Sequence, residues 1–182
     1  MNSTRFVFKA NRDYLHSTTA FDYIRCELDG TPLKIDFRFN RRTDHVCALT
    51  DKKPPDNEPP VATYTDSERT LYLVETPGLI AERVAYDEDG LAANFKIEDK
   101  SIHVPADIAG YSFIECAVAA YKRLLTQLFG KQRYAFVRLS VDRIPDGAFQ
   151  VGFSRQLSEG FYQGVIKVQE VPVGRIFFGR WQ

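Results

Sequence analysis

Residues 108–129 read IAGYSFIECAVAAYKRLLTQLF, a long helical pattern in a sequence that is otherwise patterned as strands. Apolar side chains recur there at helical spacing, at Ile114, Ala117, Val118, Tyr121, Leu125 and Leu128. This spacing places them on one face of a helix. Gly130 follows directly, and glycine readily adopts the left-handed conformation that ends many helices. We therefore predict a mostly buried helix with a sheet wrapped around it.

Strand candidates lie on both sides of this helix. Before it, residues 79–86 and 91–97 have strand character, and a linking segment follows them. After it, strand candidates come in quick succession at 134–142, 148–156, 161–169 and 173–181. Their connections contain Gly, Pro and Asp, which turns favour. The predicted order is therefore two strands, one long helix and a run of further strands.

The N-terminal part of the chain is also patterned as strands. Residues 18–27 are strand-like, and residues 33–39 alternate apolar and charged side chains as a half-buried strand does. Residues 51–60 read DKKPPDNEPP, and the prolines there remove backbone donors and predict an exposed loop. Residues 69–75 return to strand character, and Pro77-Gly78 predicts a turn.

Composition restricts the classes of function. The 182 residues contain 24 Lys plus Arg and 24 Asp plus Glu, so no net charge favours nucleic acid or an acidic membrane as a partner. The three cysteines are odd in number and lack CxxC spacing, which is typical of a reduced, cytoplasmic setting. The N-terminus is too polar for a signal peptide, and no apolar run is long enough for a membrane span.

One stretch carries a family resemblance. Residues 79–121 read LIAERVAYDEDGLAANFKIEDKSIHVPADIAGYSFIECAVAAY. His103 and Pro105 are similar to the His-x-Pro element of the beta-hydroxyacyl-acyl carrier protein dehydratases, and Gly110 and Glu115 are similar to the Gly and the acid of that family's central helix. The spacing from His103 to Glu115 is two residues shorter than in that family. A Gln that follows the helix acid in the family is missing here.

The resemblance covers residues 79–182 and implies an α+β hot-dog fold, in which a curved antiparallel sheet wraps one long central helix. Residues 1–78 lie outside it. They are expected to form a β-rich N-terminal extension or a degenerate second hot-dog half. Because hot-dog domains generally pair, we expect a homodimer. The alternative is a monomeric double hot-dog in which residues 1–78 cover the pairing surface.

The resemblance also implies a reaction, the dehydration of a 3-hydroxyacyl thioester of acyl carrier protein or coenzyme A. His103 would be the base, Glu115 the acid or water-holding group, and the Gly110 N–H the oxyanion donor. Tyr111 would line the substrate pocket. No cofactor is implied, and the scattered His and Cys residues lack the spacing of a metal site.

Two other functions stay open at the level of sequence. The first is a hot-dog acyl thioesterase, in which Glu115 orients water and His103 is not needed. The second is a non-catalytic hot-dog protein that binds an acyl chain or acts as a scaffold for a partner. The shortened spacing and the missing Gln favour the non-catalytic function.

Overall fold

The computed structural model describes residues 6–106 and 108–180. The chain forms two compact units, residues 1–87 and 88–182. Both contain helices and strands, and the strands pair mainly antiparallel, so the predicted α+β class is confirmed. The longest helix has 10 residues in the first unit and 17 residues in the second.

The first unit combines one helix with an antiparallel sheet. Its elements are β1 (Phe8–Lys9), α1 (Ser17–Cys26), β2 (Ile35–Phe39), β3 (His45–Thr50), β4 (Ala62–Thr65), β5 (Thr70–Leu79) and β6 (Arg83–Val84). Strands β3, β5, β4 and β2 are neighbours in that order and pair antiparallel. Strands β1 and β6 form a separate parallel pair.

Helix α1 replaces the strand that the sequence predicts over residues 18–27. Its β-branched and aromatic residues favour a strand locally. However, Ala20, Phe21 and Ile24 follow helical spacing and are all buried. The ring of Phe21 packs edge-on against that of Phe37 on β2, with centroids 5.2 Å apart. The strand prediction was wrong because burial of this helix face against the sheet outweighs the local preference.

Strand β5 is longer than its pattern indicates. It continues through Pro77 and Gly78, where the sequence predicts a turn, and Leu79 still pairs with His45 of β3. An irregularity between His45 and Cys47 shifts the register at this point. The predicted turn was therefore wrong, because the register shift lets β5 include Pro77, which has no backbone N–H to donate to the neighbouring strand.

The second unit has a larger sheet and the long helix. Its elements are α2 (Glu88–Ala93), β7 (Lys96–Glu98), β8 (Ser101–Val104), α3 (Phe113–Phe129), β9 (Tyr134–Val141), β10 (Phe149–Ser158), β11 (Phe161–Val168) and β12 (Val171–Arg180). The strand order is β9-β12-β11-β10-β8-β7, and every neighbouring pair is antiparallel. The strands predicted after the helix are confirmed.

Helix α3 packs along its whole length against this sheet through aromatic pairs. Near its start the ring centroids of Phe113 and Phe149 are 5.2 Å apart. In its middle Tyr121 meets Phe178 of β12 edge-on at 5.3 Å. At its end Phe129 is 5.0 Å from Tyr162 of β11. These contacts confirm the prediction of a buried helix held by a sheet.

The helix begins later than predicted. It starts at Phe113 and not at residue 108, because Ser112 is its N-cap. Gly110 therefore lies in the preceding turn, at a φ of +83°, and its N–H is not at the helix N-terminus. The predicted end is confirmed, since Gly130 is the C-cap with a φ of +85°.

The region before α3 also differs from its prediction. Only Arg83–Val84 within residues 79–86 is a separate strand, and most of residues 91–97 belongs to α2 and the loop after it. The segment predicted as a link contains β8, which pairs with β10. Within the described ranges, no helix has the length and apolarity needed to cross a membrane.

Candidate functional site

The first turn of α3 is closed by reciprocal hydrogen bonds between Ser112 and Glu115. The backbone N–H of Ser112 donates to Glu115 Oε2 at 2.9 Å. In return, the Glu115 N–H donates to Ser112 Oγ at 3.4 Å. This capping box arises from the Ser-x-x-Glu spacing, a sequence signal of helix N-termini. It fixes the Glu115 carboxylate as an acceptor, with the residue 9% exposed.

A cavity of about 450 Å³ opens beside this turn, and we call it the α3 groove. Most of its lining residues are apolar. They are Val104, Pro105, Ile108, Ala109, Tyr111, Phe113, Cys116, Pro145, Asp146, Gly147 and Phe149. The groove thus contains Tyr111, the predicted substrate-binding residue. Glu115 is not among its lining residues, although Phe113 and Cys116 in the same turn are.

His103 lies in the middle of β8, on one face of the strand. Its neighbours Ile102 and Val104 are 0% and 2% exposed and belong to the core. Because successive side chains of a strand point to opposite faces, His103 points away from that core. Its side chain is 42% exposed, and Nε2 lies 3.3 Å from Oε2 of Glu98.

His103 belongs to a row of polar residues that crosses the sheet. Lys167, Gln150, His103 and Lys96 are successive partners on β11, β10, β8 and β7. A second cavity of about 410 Å³, the polar pocket, is lined by this row. Its other lining residues are Asn94, Val104, Pro105, Ala148, Phe149, Gln169 and Glu170. Sequence reasoning missed this row because it depends on strand register, which residue order does not reveal.

Ion pairs with residues of the polar pocket hold the carboxylates of Glu98 and Glu170 ionised. A hydrogen bond from Lys96, its positive charge and that of His103 lower the pKa of Glu98. Hydrogen bonds from Lys167 and Gln150 lower the pKa of Glu170. The pocket therefore presents cations and carboxylates side by side.

The structure brings some predicted site residues together and separates others. The α3 groove and the polar pocket share Val104, Pro105 and Phe149 as walls, so they are adjacent. Tyr111 lines the first and His103 lines the second. Within this chain, His103 and Glu115 line no cavity in common among those described. Their roles, and that of Gly110, stay predictions.

The cysteines and the possible metal ligands of the described residues are placed as follows. Cys116 lines the α3 groove and is 4% exposed. In the part of the chain that the structure describes, no group of three or more His, Cys, Asp or Glu side chains converges as metal ligands do. The described cysteines Cys26, Cys47 and Cys116 form no disulfide.

Comparison with known proteins gives similarity in structure only. No protein-family model matches the sequence, and no curated protein matches it. A proposed thioesterase II from Thermobifida fusca YX is 12% identical with a TM-score of 0.52, covering 100% of this chain and 91% of that one. The tesB protein of Mycobacterium avium subspecies paratuberculosis is 10% identical with a TM-score of 0.49, covering 100% and 95%. The bifunctional dehydratase-cyclase domain of ambruticin biosynthesis is 12% identical with a TM-score of 0.46, covering 93% and 82%.

These proteins have hot-dog folds, and this chain has the hot-dog fold as well. The assignment rests on the similarity to the thioesterase II structure, which extends over the whole of this chain. It confirms the fold predicted from the sequence. At 12% identity the similarity concerns the fold alone.

Proposed function

We propose that this chain is an acyl-thioester hydrolase that takes the acyl group in the α3 groove. Two observations support the substrate class. The fold is that of a proposed thioesterase, and the groove has the size of a small-molecule site. Tyr111 and Asp146 add a few polar groups at the groove, which such sites use to orient a ligand.

The capping box is the observation that favours hydrolysis. Glu115 Oε2 accepts the backbone N–H of Ser112, so the capping box holds this side chain in one orientation. Glu115 does not line the groove itself, but it lies in the same helix turn as Phe113 and Cys116, which do. An ionised carboxylate there is suited to take a proton from a water that attacks the thioester. It is less suited to give a proton to a departing hydroxyl, which dehydration requires. His103, the base that dehydration would also need, lies on the face of β8 that points away from the core.

Turnover with a panel of thioesters tests this proposal. The panel contains saturated and 3-hydroxyacyl groups of short, medium and long chain, on coenzyme A and on acyl carrier protein, with products identified by mass spectrometry. The decisive variant is Glu115→Gln, because glutamine also closes a capping box but cannot act as a base. We expect it to lower the rate of free-acid release about 10²–10⁴-fold. Glu159→Gln, at an exposed turn, is the matched control.

Each outcome decides between the functions that the sequence leaves open. Free acid whose release depends on Glu115 but not on His103 supports hydrolysis. Equal turnover by wild type and Glu115→Gln contradicts the mechanism. Binding of acyl thioesters without any turnover would favour the non-catalytic acyl carrier or scaffold.

Dehydration is the second candidate, and one observation favours it. His103 is held beside Glu98 in a pocket that shares walls with the α3 groove. A site made by two copies of the chain would combine His103 of one copy with Glu115 of the other. Loss of water from 3-hydroxyacyl thioesters should then vanish in His103→Ala and in Glu115→Gln, and mixing the two variants should restore activity. If mixing the two variants does not restore activity, a site shared between two copies is contradicted.

We also propose that residues 1–78 form a degenerate second hot-dog half. The first unit has a helix followed by antiparallel strands, and the similarity to the thioesterase II structure includes it. A double hot-dog of this kind would be a monomer. Light scattering at several protein concentrations separates it from a homodimer.

A further inference from the structure

A buried polar cluster lies at the N-terminal end of α1, in the first unit. Lys9 Nζ donates to Thr18 Oγ1 at 2.7 Å. The same oxygen lies 2.8 Å from Nδ1 of His16. Lys9, His16 and Thr18 are 7%, 7% and 0% exposed. We call these three residues the Thr18 cluster, and neither the α3 groove nor the polar pocket includes them.

The chemistry of the three groups sets the direction of their hydrogen bonds. An ammonium group has only donors, so Thr18 Oγ1 accepts from Lys9. The hydroxyl of Thr18 is then left to donate to His16 when Nδ1 carries a lone pair. A hydroxyl within hydrogen-bond reach of a base, with a cation beside its oxygen, is the arrangement of an activated nucleophile.

The start of α1 strengthens this arrangement. His16 is the N-cap with extended backbone, at a φ of −76° and a ψ of 141°, but its side chain makes no capping hydrogen bond. The imidazole instead contacts the hydroxyl of Thr18. The first turn has no acidic side chain. Positive charge from the helix dipole and from Lys9 therefore lies beside Thr18 Oγ1, where it would stabilise negative charge that develops during acyl transfer.

A short strap covers the Thr18 cluster, and it consists of residues 82–86. Its Tyr86 ring lies 4.7 Å from Lys9 Nζ and 5.9 Å from the ring of His16. Strands β6 and β1 pair over only two residues, and Arg83 donates to the carbonyls of Ala10 and Arg12. Residues 82–85 are exposed, and detachment of the strap would break the backbone hydrogen bonds from Phe8 N–H to Glu82 O and from Ala10 N–H to Val84 O.

We propose that the Thr18 cluster is an acyl-transfer site that accepts acyl groups from thioesters or activated esters when the strap detaches. Thr18 Oγ1 attacks the carbonyl carbon, and His16 Nδ1 takes the hydroxyl proton. The C–S or C–O bond then breaks, and the leaving thiolate or alkoxide takes that proton. An O-acyl ester remains on Thr18.

Covalent labelling tests this proposal independently of the α3 groove. Glu115→Gln protein is incubated with acetyl-coenzyme A or with p-nitrophenyl acetate, then analysed by intact mass and by peptide mapping. We expect one acetyl group on the peptide that contains Thr18. Acetylation only at Cys26 or at lysines, or no acetylation, overturns the proposal. Because this background lacks the Glu115 carboxylate, failure here is distinct from failure of the proposed hydrolysis.

A pair of threonine variants supplies the matched control. Thr19 is 5% exposed in the same turn, and its hydroxyl has no hydrogen-bond partner among the described residues. Thr19→Val should leave labelling unchanged, Thr18→Val should abolish it, and Thr18→Ser should retain it. Tyr86→Ala removes the cover and should increase the labelling rate severalfold. A rate that is unchanged or lower overturns the role of the strap. Mapping of the acetyl group on the Glu115→Gln protein decides the proposal even if Thr18→Val fails to fold.

Discussion

Gly164 lies against the ring of Tyr121, so closely that a Cβ at Gly164 would be 2.7 Å from Tyr121 Cε2. Tyr121 is completely buried on α3, and Gly164 lies on β11. The absence of a side chain at Gly164 therefore lets the sheet approach the helix at this point. The same added Cβ would also be 3.0 Å from Cγ2 of Ile176. The close approach of β11 to α3 thus requires a glycine at position 164.

Gly164→Ala is expected to destabilise the protein by about 1–3 kcal/mol, the usual range for an overpacked core. Chemical denaturation measures the free energy of unfolding. Gly78→Ala is the matched control, because a Cβ there meets only Val46 at an ordinary 3.8 Å. In a Tyr121→Leu background the effect of Gly164→Ala should shrink, since the clashing ring is gone. Equal losses in both backgrounds would contradict the role given to the ring.

The hydroxyl groups of two buried tyrosines predict opposite effects of the same substitution. Burial raises the pKa of Tyr121, and its hydroxyl has no hydrogen-bond partner among the described residues. The Tyr134 hydroxyl lies 3.2 Å from the carbonyl oxygen of Leu125 and 3.1 Å from that of Gly130. Tyr121→Phe should therefore be neutral or stabilising, whereas Tyr134→Phe should cost about 1 kcal/mol. Thermal and chemical unfolding of both variants check this, and a clear loss in Tyr121→Phe would contradict it.

The sequence predicts α3 and the strands after it well because their signals are long and local. Helical spacing over residues 113–129 and turn residues between the later strands both agree with the final packing. The prediction from sequence fails at α1. This helix of 10 residues contains β-branched side chains, and its helical form depends on burial of Phe21 against Phe37. Tertiary contacts of this kind are not written in the local pattern.

At the candidate site, too, the local features can be predicted from the sequence and the features that depend on strand pairing cannot. The Ser112-x-x-Glu115 spacing is a readable signal of a capping box, and it corrects the expected helix start at residue 108. The position of His103 beside Gln150 depends on the pairing of β8 with β10. A single residue of register would turn His103 to the other face of the sheet. Sequence order alone could not supply that register.

Cys47 predicts a pH dependence of stability. Burial and then the charge of Glu75 raise the pKa of its thiol from 9.0 to about 12. The thiol of the unfolded chain ionises from pH 9.0 upward, whereas the folded thiol stays protonated until about pH 12. The stabilisation is thus complete below pH 9.0 and is lost as the pH rises toward 12, by about 1.4 kcal/mol per pH unit.

The measurement for Cys47 is the free energy of unfolding across this alkaline range, compared between wild type and Cys47→Ala. Other groups titrate in the same range, but they cancel in the difference. Cys26→Ala is the control because Cys26 is exposed. Parallel pH profiles for wild type and Cys47→Ala would contradict the prediction.

The capping box predicts that substitution of Ser112 changes mainly the stability, whereas substitution of Glu115 changes mainly the activity. Ser112→Ala removes the oxygen that accepts from the Glu115 N–H, and loss of such an N-cap costs about 1 kcal/mol. The backbone N–H of Ser112 survives the substitution and still holds the Glu115 carboxylate. Ser112→Ala should therefore lower the melting temperature but keep most of the thioester hydrolysis.

Glu115→Gln should keep the melting temperature, because its amide oxygen can still accept the Ser112 N–H. It should lose the thioester hydrolysis, because an amide cannot take a proton from water. Melting curves and free-acid release measured on the same preparations test both halves. If the two variants lose activity in equal measure, then activity follows the integrity of the first turn. In that case the Glu115 carboxylate is a structural cap, and the proposed role in taking a proton from water is wrong.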